Sequence, residues 1–319
     1  EAAVEVIDLK TGRAVFTQRA DVLDRPTWMA SVAKVFTLRA ALDAGLVDAR
    51  ARIPCRGRIT LGPRTVQCVH PAFAQPLSAV EALAHSCNSF FTSLRLPPGA
   101  VASAFSGAGL PPPPASMPEP RLAWIGLDGT RVAPRRTLRA FVQLVHEALR
   151  RRSAADTLLI EGLREAARVG TASALDAAGV DALAKTGTAS LGDGTYGGSV
   201  VAVSPAEAPR YAVVALGAGI AGRDAAGIAA SALARVGQGA NPGDASSRES
   251  SGRGVAPAHR PRQPRRVRLG RVTTGGYRVT VVDLETYVAG VVSAEATPEV
   301  GTAAREALVV AARSFAVAM

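Results

Sequence analysis

Between Gly237 and about Arg266 the sequence loses all hydrophobic periodicity and runs through Gly, Ser, Pro and Arg. A stretch of that composition cannot bury enough apolar surface to offset its ordering entropy, so it reads as a disordered linker. It cuts the chain unequally. Residues 1–236 are enough for an ordinary domain with its own core, whereas residues 267–319 are few for an independent one. Arg260, Arg262, Arg265, Arg266 and Arg268 cluster at the end of the linker. A solvated linker explains them more simply than a grip on an anionic polymer.

The net charge of +11 is compatible with nucleic acid, an anionic surface or an acidic polymer. No zinc-finger, homeodomain or aromatic–glycine signature accompanies it, so nucleic acid is not expected as a partner. The basic residues are almost all arginine, with Lys10, Lys34 and Lys185 the only lysines. No run of about 18 apolar residues would span a membrane. The chain begins in a strand pattern without an initiating Met and stops within a helical one, as a fragment of a longer protein would.

Along the first piece, Val4–Leu9 and Ala14–Thr17 read as a hairpin, its turn at Lys10-Thr11-Gly12. A helix holding Ser31 and Lys34 runs to Ala44, where Gly45 stops it. Residues 50–76 carry Cys55, Cys68 and His70 without helical period. A Cys55–Cys68 bridge would staple this excursion in an oxidising compartment, and two reduced core cysteines are the other reading. Leu77–Phe91 reads as one helix opened by a Ser78/Glu81 capping box. Leu110–Pro120 is too Pro-rich for regular structure. Helices follow at 137–150 and 154–168, strands at 180–189, 197–203 and 211–216, and a helix at 224–236. This order predicts an α+β fold: an antiparallel sheet flanked by helices, with a mostly helical subdomain between its strands. Trp28 reads as core, His85 and His146 as surface or internally satisfied residues, and Cys87 as a small buried hydrophobe. No His/Cys/Asp cluster shows metal-ligand spacing, so neither a metal nor another cofactor is expected.

Three short motifs carry the chemistry. Ser31-x-x-Lys34 places a hydroxyl and an amine on one helical face, where the amine could take the hydroxyl's proton. Ser86-x-Asn88 adds a second hydroxyl and an amide with both donor and acceptor capacity. Lys185-Thr186-Gly187-Thr188 offers a cation and a hydroxyl suited to a carboxylate, and a glycine beside which substrate can lie close.

In this order the set resembles the catalytic motifs of penicillin-binding proteins and serine beta-lactamases. Cys55-Arg56-Gly57, His85–Phe91 around the second motif and Val169-Gly170-Thr171-Ala172 make the likeness closest to penicillin-binding transpeptidases of the elongation type. The resemblance covers residues 1–236. It implies Ser31 as nucleophile, Lys34 as acylation base, Ser86 as proton relay, Asn88 and Lys185 as supporting catalytic groups, and Thr186, Gly187 and Thr188 as substrate-binding. The Ser31 and Thr188 N–H groups would form the oxyanion hole. It further implies extracytoplasmic work on peptidoglycan stem peptides, covalent inhibition by beta-lactams, a glycosyltransferase or elongation machinery as partner, and a membrane anchor in the full-length protein.

No Glu-x-x-Leu-Asn pattern lies between Asn88 and Lys185; Glu119 precedes Pro120 in the Pro-rich segment. Without such a base an acyl-enzyme should wait for an amine, favouring D,D-transpeptidation over rapid beta-lactam hydrolysis, with a D,D-carboxypeptidase or serine beta-lactamase as the alternative. One departure is Tyr196-Gly197-Gly198-Ser199-Val200, where elongation-type proteins carry an aromatic-rich strand. That thin wall keeps a non-catalytic penicillin-binding sensor open as an alternative.

Residues 267–319 read as two strands and helices, a small, incomplete α/β segment. Leu284–Glu295 and Ala307–Ala316 resemble the start of the stage II sporulation protein D family, which cleaves glycan strands. Glu295 matches the family's catalytic glutamate, a general acid for a glycosidic oxygen. The family domain is several times longer.

Overall fold

The computed structural model describes residues 2–237 except Pro71, Pro98, Thr130 and 191–194, then 266–273, 276–295, and residues 308, 309, 312 and 313. The expected linker thus falls almost wholly outside the described residues. The chain divides into two compact units, Glu1–Ser246 and Ser247–Met319.

The first unit opens with β1 (Ala2–Asp8) and β2 (Arg13–Gln18), then a 3₁₀ turn at Ala30–Val32 that runs into α1 (Ala33–Asp43). A small hairpin, β3 (Arg58–Leu61) and β4 (Arg64–Gln67), precedes α2 (Ala79–Ala84) and α3 (Asn88–Ser93). The helical body continues with α4 (Ala100–Gly107), α5 (Arg121–Trp124), α6 (Pro134–Arg151), α7 (Ala154–Arg168) and α8 (Ala174–Ala177). Strands β5 (Leu183–Ser190), β6 (Tyr196–Ser204) and β7 (Tyr211–Ala218) and helix α9 (Gly222–Gly237) close it. The main sheet is antiparallel in the order β2-β1-β7-β6-β5, so β5 is an edge strand.

Side chains alternate across this sheet with the two-residue period of a strand. Val201, Val203 and Val214 enter the core shared with α1, α3 and α6, where Phe36, Phe90 and Phe141 are fully buried. Val200, Ala202, Val213 and Ala215 face the other way, onto the alanine stripe Ala225, Ala226, Ala229 and Ala230 of α9. Both faces are covered, so α1 can lie inside the unit. Nearly all of its residues are buried, Lys34 among them.

The helix expected over Leu77–Phe91 is two helices. Ser86, at φ 58, breaks it in the left-handed region, and the Cys87 N–H returns to the Ala82 carbonyl. Apolar residues continue on the buried side of both pieces, so their pattern does not betray the break. The capping box at Ser78 and Glu81 is formed.

A second capping box, Ser153 with Asp156, starts α7 and anchors it to α1. Asp156 is 1% exposed and accepts from Arg39 at 2.8 Å and Arg151 at 3.2 Å. Burial works against its charge, yet the Ser153 hydroxyl and N–H with the two arginines hold the carboxyl below its ordinary range. Asp156→Ala removes the carboxylate half of the capping box and leaves Arg39 half-paired inside the unit. It should cost about 3 kcal/mol in urea unfolding. A loss below about 1 kcal/mol would contradict this account of how α7 is held.

In the second unit β8 (Arg266–Thr273) pairs antiparallel with β9 (Gly276–Asp283), and α10 (Leu284–Glu295) follows directly. Leu284, Val288 and Ala312 form its small buried cluster, and Glu285 pairs with Arg313.

Candidate active site

Three elements meet around the Lys34 amine. Nζ lies 3.0 Å from Ser31 Oγ, 2.8 Å from the Ser86 carbonyl, 3.2 Å from Ser86 Oγ and 2.5 Å from Asn88 Oδ1. The break between α2 and α3 makes this possible. A straight helix would turn Ser86 and Asn88 about 200° apart, whereas left-handed Ser86 aims its carbonyl, its hydroxyl and the Asn88 amide at one amine. That conformation costs a non-glycine residue about 1–2 kcal/mol, held here by surrounding contacts. Gly170 packs so closely on the Ala84 carbonyl that a Cβ would sit 2.3 Å from its oxygen, and the Thr171 N–H donates to that oxygen at 3.1 Å.

The Lys185 Nζ reaches the same Ser86 hydroxyl from β5 at 3.0 Å and bonds the Thr186 carbonyl at 2.9 Å. One hydroxyl therefore bridges two amines. Lys185 is completely buried, so its charge stands behind Ser86 rather than open to a ligand carboxylate as its sequence suggested. Thr186 is also buried and donates to the Thr171 hydroxyl at 2.6 Å. Thr188 is exposed on the edge strand, and its hydroxyl accepts from the Gly222 N–H at 2.9 Å. Gly187 lies against the Ala30–Val32 turn: a Cβ there would meet Ala30 Cβ at 2.8 Å and the Met29 carbonyl at 3.1 Å.

Burial governs the protonation of both lysines. Desolvation lowers Lys34 to about 7, partly offset by the Cys87 and Cys68 sulfurs. Lys185 is pushed well below the lysine range, first by burial and then by the charge of Lys34. An amine with a pKa near 7 is neutral often enough to accept a hydroxyl proton. Acylation of Ser31 should therefore rise with pH through about 7 and level off above it. A labelling rate that is flat from pH 5.5 to 9 would contradict Lys34 as the base.

Several supports had no signal in the sequence. The Asn88 Nδ2 donates to the Gln67 carbonyl at 2.7 Å, so the unforeseen β3–β4 hairpin fixes the amide's orientation. Ala30, just before Ser31, is itself left-handed at φ 49 and packs against Gly126. Gly198 faces Thr188 across the sheet, and a Cβ there would meet the Ala221 carbonyl at 2.3 Å. This close approach explains the glycine at position 198 in the strand after the lysine motif. Tyr196 begins that strand half exposed. Glu119 is engaged with Arg121 at 2.6 Å.

Cys55 and Cys68 do meet, but as free thiols 3.6 Å apart rather than as a bridge. Cys87 and His70 join them, and these four are the set of described residues whose donor atoms could hold a metal ion, all within 4.8 Å of one another. Linear spacing gave no hint of such a set. Hydrogen bonds from the Cys87 thiol and the Ser89 N–H hold Cys68 below the ordinary thiol range, and the same contact pushes Cys87 up. Glu295 ends α10, and its side chain lies outside the described residues.

Known proteins resemble this chain in both sequence and fold. Residues 3–110 match the penicillin binding protein transpeptidase domain, and residues 273–319 match the stage II sporulation protein SpoIID. The chain is thus similar to a penicillin-binding-protein transpeptidase domain over its first third and to SpoIID at its C-terminal end. Among solved structures it is similar to the TP domain of Burkholderia pseudomallei penicillin-binding protein 3, with 18% identity, a TM-score of 0.59, and 76% of this chain and 89% of that one covered. The D,D-transpeptidase domain of an Eggerthella lenta peptidoglycan glycosyltransferase gives 16%, 0.60, 75% and 78% in the same order. Penicillin-binding protein PBP2 of Helicobacter pylori gives 14%, 0.62, 74% and 60%. These likenesses bear out the α+β fold with its helix-flanked antiparallel sheet. No curated protein sequence matches the chain.

Proposed function

We propose that the first unit is a peptidoglycan D,D-transpeptidase that forms an acyl-enzyme on Ser31 with a stem peptide ending in D-Ala-D-Ala. The observation that carries this reading is the Lys34 amine, buried yet bonded at once to Ser31, Ser86 and Asn88. Neutral Lys34 takes the Ser31 proton as Oγ attacks the substrate carbonyl. The charge developing on the carbonyl oxygen meets the N–H groups of Ser31 and Thr188, worth about 2.7–4 kcal/mol for one such donor. Ser86, between the two lysine amines, passes the proton to the departing D-Ala nitrogen. Thr188 and the open edge of β5 receive the peptide beside Gly187. Lys185 acts behind them, holding the Ser86 hydroxyl in place from β5.

The acyl-enzyme then awaits an amine from a second stem peptide. On this reading the protein works outside the cytoplasm, is acylated by beta-lactams and serves beside a glycosyltransferase of the elongation machinery. The SpoIID-like segment would add glycan-strand cleavage, with Glu295 as its general acid. Incubation of the chain with a D-Ala-D-Ala stem peptide and a free amine acceptor should yield a cross-linked product and one D-Ala per bond formed. A shortened peptide with no cross-link would make it a carboxypeptidase. Absence of D-Ala release would sink both activities.

A further inference from the structure

The Ala221 carbonyl accounts for Gly198, but the other glycine of that strand, Gly197, borders a cleft of about 450 Å³. That volume lies in the range of small-ligand sites. The cleft opens on the sheet face that packs α1 and α6, since Ala3 and Leu216 belong to that core. Its floor is the end of three strands, where Ala3, Gly197 and Ala218 leave little side chain above the backbone. Arg19, left-handed at φ 48, turns the chain into the Ala20–Asp24 helical turn that walls the cleft.

The charge on the rim is of one sign. Arg19 and Arg25 line the cleft and are exposed, and none of the described residues lining it is acidic. Arg25 pairs with Asp21 at 3.1 Å, with both side chains largely in water. Such an exposed pair is worth little, so the guanidinium can exchange it for a ligand carboxylate.

The cleft also lies within reach of Ser31. Thr27, on its border, is in the segment that leads into the Ala30–Val32 turn, and Gly197 pairs directly with Ala189, the neighbour of Thr188. Adjacent strands are about 4.8 Å apart, so β7, under the cleft, is about 10 Å from β5. An extended peptide covers that distance in about three residues, at roughly 3.3–3.6 Å each.

We propose that this cleft receives the amine acceptor, a peptide whose carboxylate lies two or three residues from its free amine. Arg19 and Arg25 bind the carboxylate, and the shallow apolar floor takes the backbone between it and the amine. The role rests on the acyl-transfer reading of Ser31. In the transfer the amine nitrogen bonds the acyl carbon and the bond from that carbon to Ser31 Oγ breaks. The proton lost by the nitrogen ends on Oγ by way of Lys34. The two peptides are thereby kept apart, the donor along the β5 edge and the acceptor across β6.

Two acceptors that differ only in the carboxylate test this: Gly-Gly-Glu amide and Gly-Gly-Gln amide. Cross-linked product from a D-Ala-D-Ala donor is followed against acceptor concentration with the full chain. Direct binding is read by anisotropy of copies dye-labelled at the C-terminus. The Glu peptide should half-saturate at about 10-fold lower concentration than the Gln peptide. Arg19→Gln/Arg25→Gln should erase that difference. Ala218→Phe, at an exposed strand end that tolerates an aromatic, fills the floor and should weaken use of the Glu peptide by about 10-fold. Equal use of the two peptides by the parent overturns the proposal, as does a preference that survives in both variants. An arginine-dependent preference in binding, with no cross-link formed by the parent, overturns the acyl-transfer reading and leaves the cleft as a site for acidic peptides.

Discussion

Lys34→Met should slow acylation of Ser31 by about 10²–10⁴-fold, the range expected when a positioned general base is removed. Methionine fills nearly the same buried volume, so the core around α1 keeps its packing while the proton acceptor is lost. The same substitution leaves a second mark. In the folded chain Lys34 titrates at about 7, against an ordinary value of 10.5. Between those values the unfolded chain binds a proton that the folded chain does not, so stability rises with pH across that window. The rise corresponds to about 5 kcal/mol for a shift of this size, taken to order of magnitude. Lys34→Met should lose that share of the slope, as urea midpoints at pH 7, 8.5 and 10 would reveal. A variant acylated within about threefold of the parent would remove Lys34 from the base role.

Gly126→Ala should be unusually damaging for so small a change. Gly126 has φ +73, and an added Cβ would lie 1.8 Å from the Ala30 oxygen and 2.5 Å from its carbonyl carbon. Those atoms belong to backbone, so relief requires moving the turn that presents Ser31. The variant should lose more than about 3 kcal/mol of stability and be acylated more slowly than its residual folded fraction explains. Gly12→Ala is the control: it shares a positive φ of +69, but no atom lies within 4 Å of the added Cβ. It should cost only the left-handed strain, about 1 kcal/mol. Equal effects of the two substitutions would show that close packing against Ala30 does not hold the nucleophile turn.

Much of this molecule is legible in its sequence because two different periods are written plainly. Strands such as Val200–Val203 and Tyr211–Leu216 are apolar on both sides because both sheet faces are covered, and the amphipathic α6 and α7 announce their own ends. Ser31, Lys34, Ser86, Asn88 and Lys185 were singled out from three motifs, and the fold gathers all five into one hydrogen-bonded group. What stayed hidden depends on backbone geometry or long-range contact. Ser86 adopts φ 58 in a segment whose apolar pattern continues unbroken, so the bend that makes the site leaves no trace in composition. The Gln67 carbonyl contributes through the main chain and has no residue signature. Cys55, Cys68, His70 and Cys87 converge only because the β3–β4 excursion folds back onto α3. Lys185 shows the limit of a motif: its spacing identified the residue, but burial behind Ser86 changes what its charge can reach.

In the proposed reaction Ser31 carries the acyl group, which then waits for an amine. Intact-mass measurement after exposure to penicillin, followed by peptide mapping, tests it most directly. One penicillin per chain is expected on the peptide containing Ser31, persisting after excess drug is removed and absent from Ser31→Ala. An adduct on any other residue, or equal labelling of Ser31→Ala, would contradict the account.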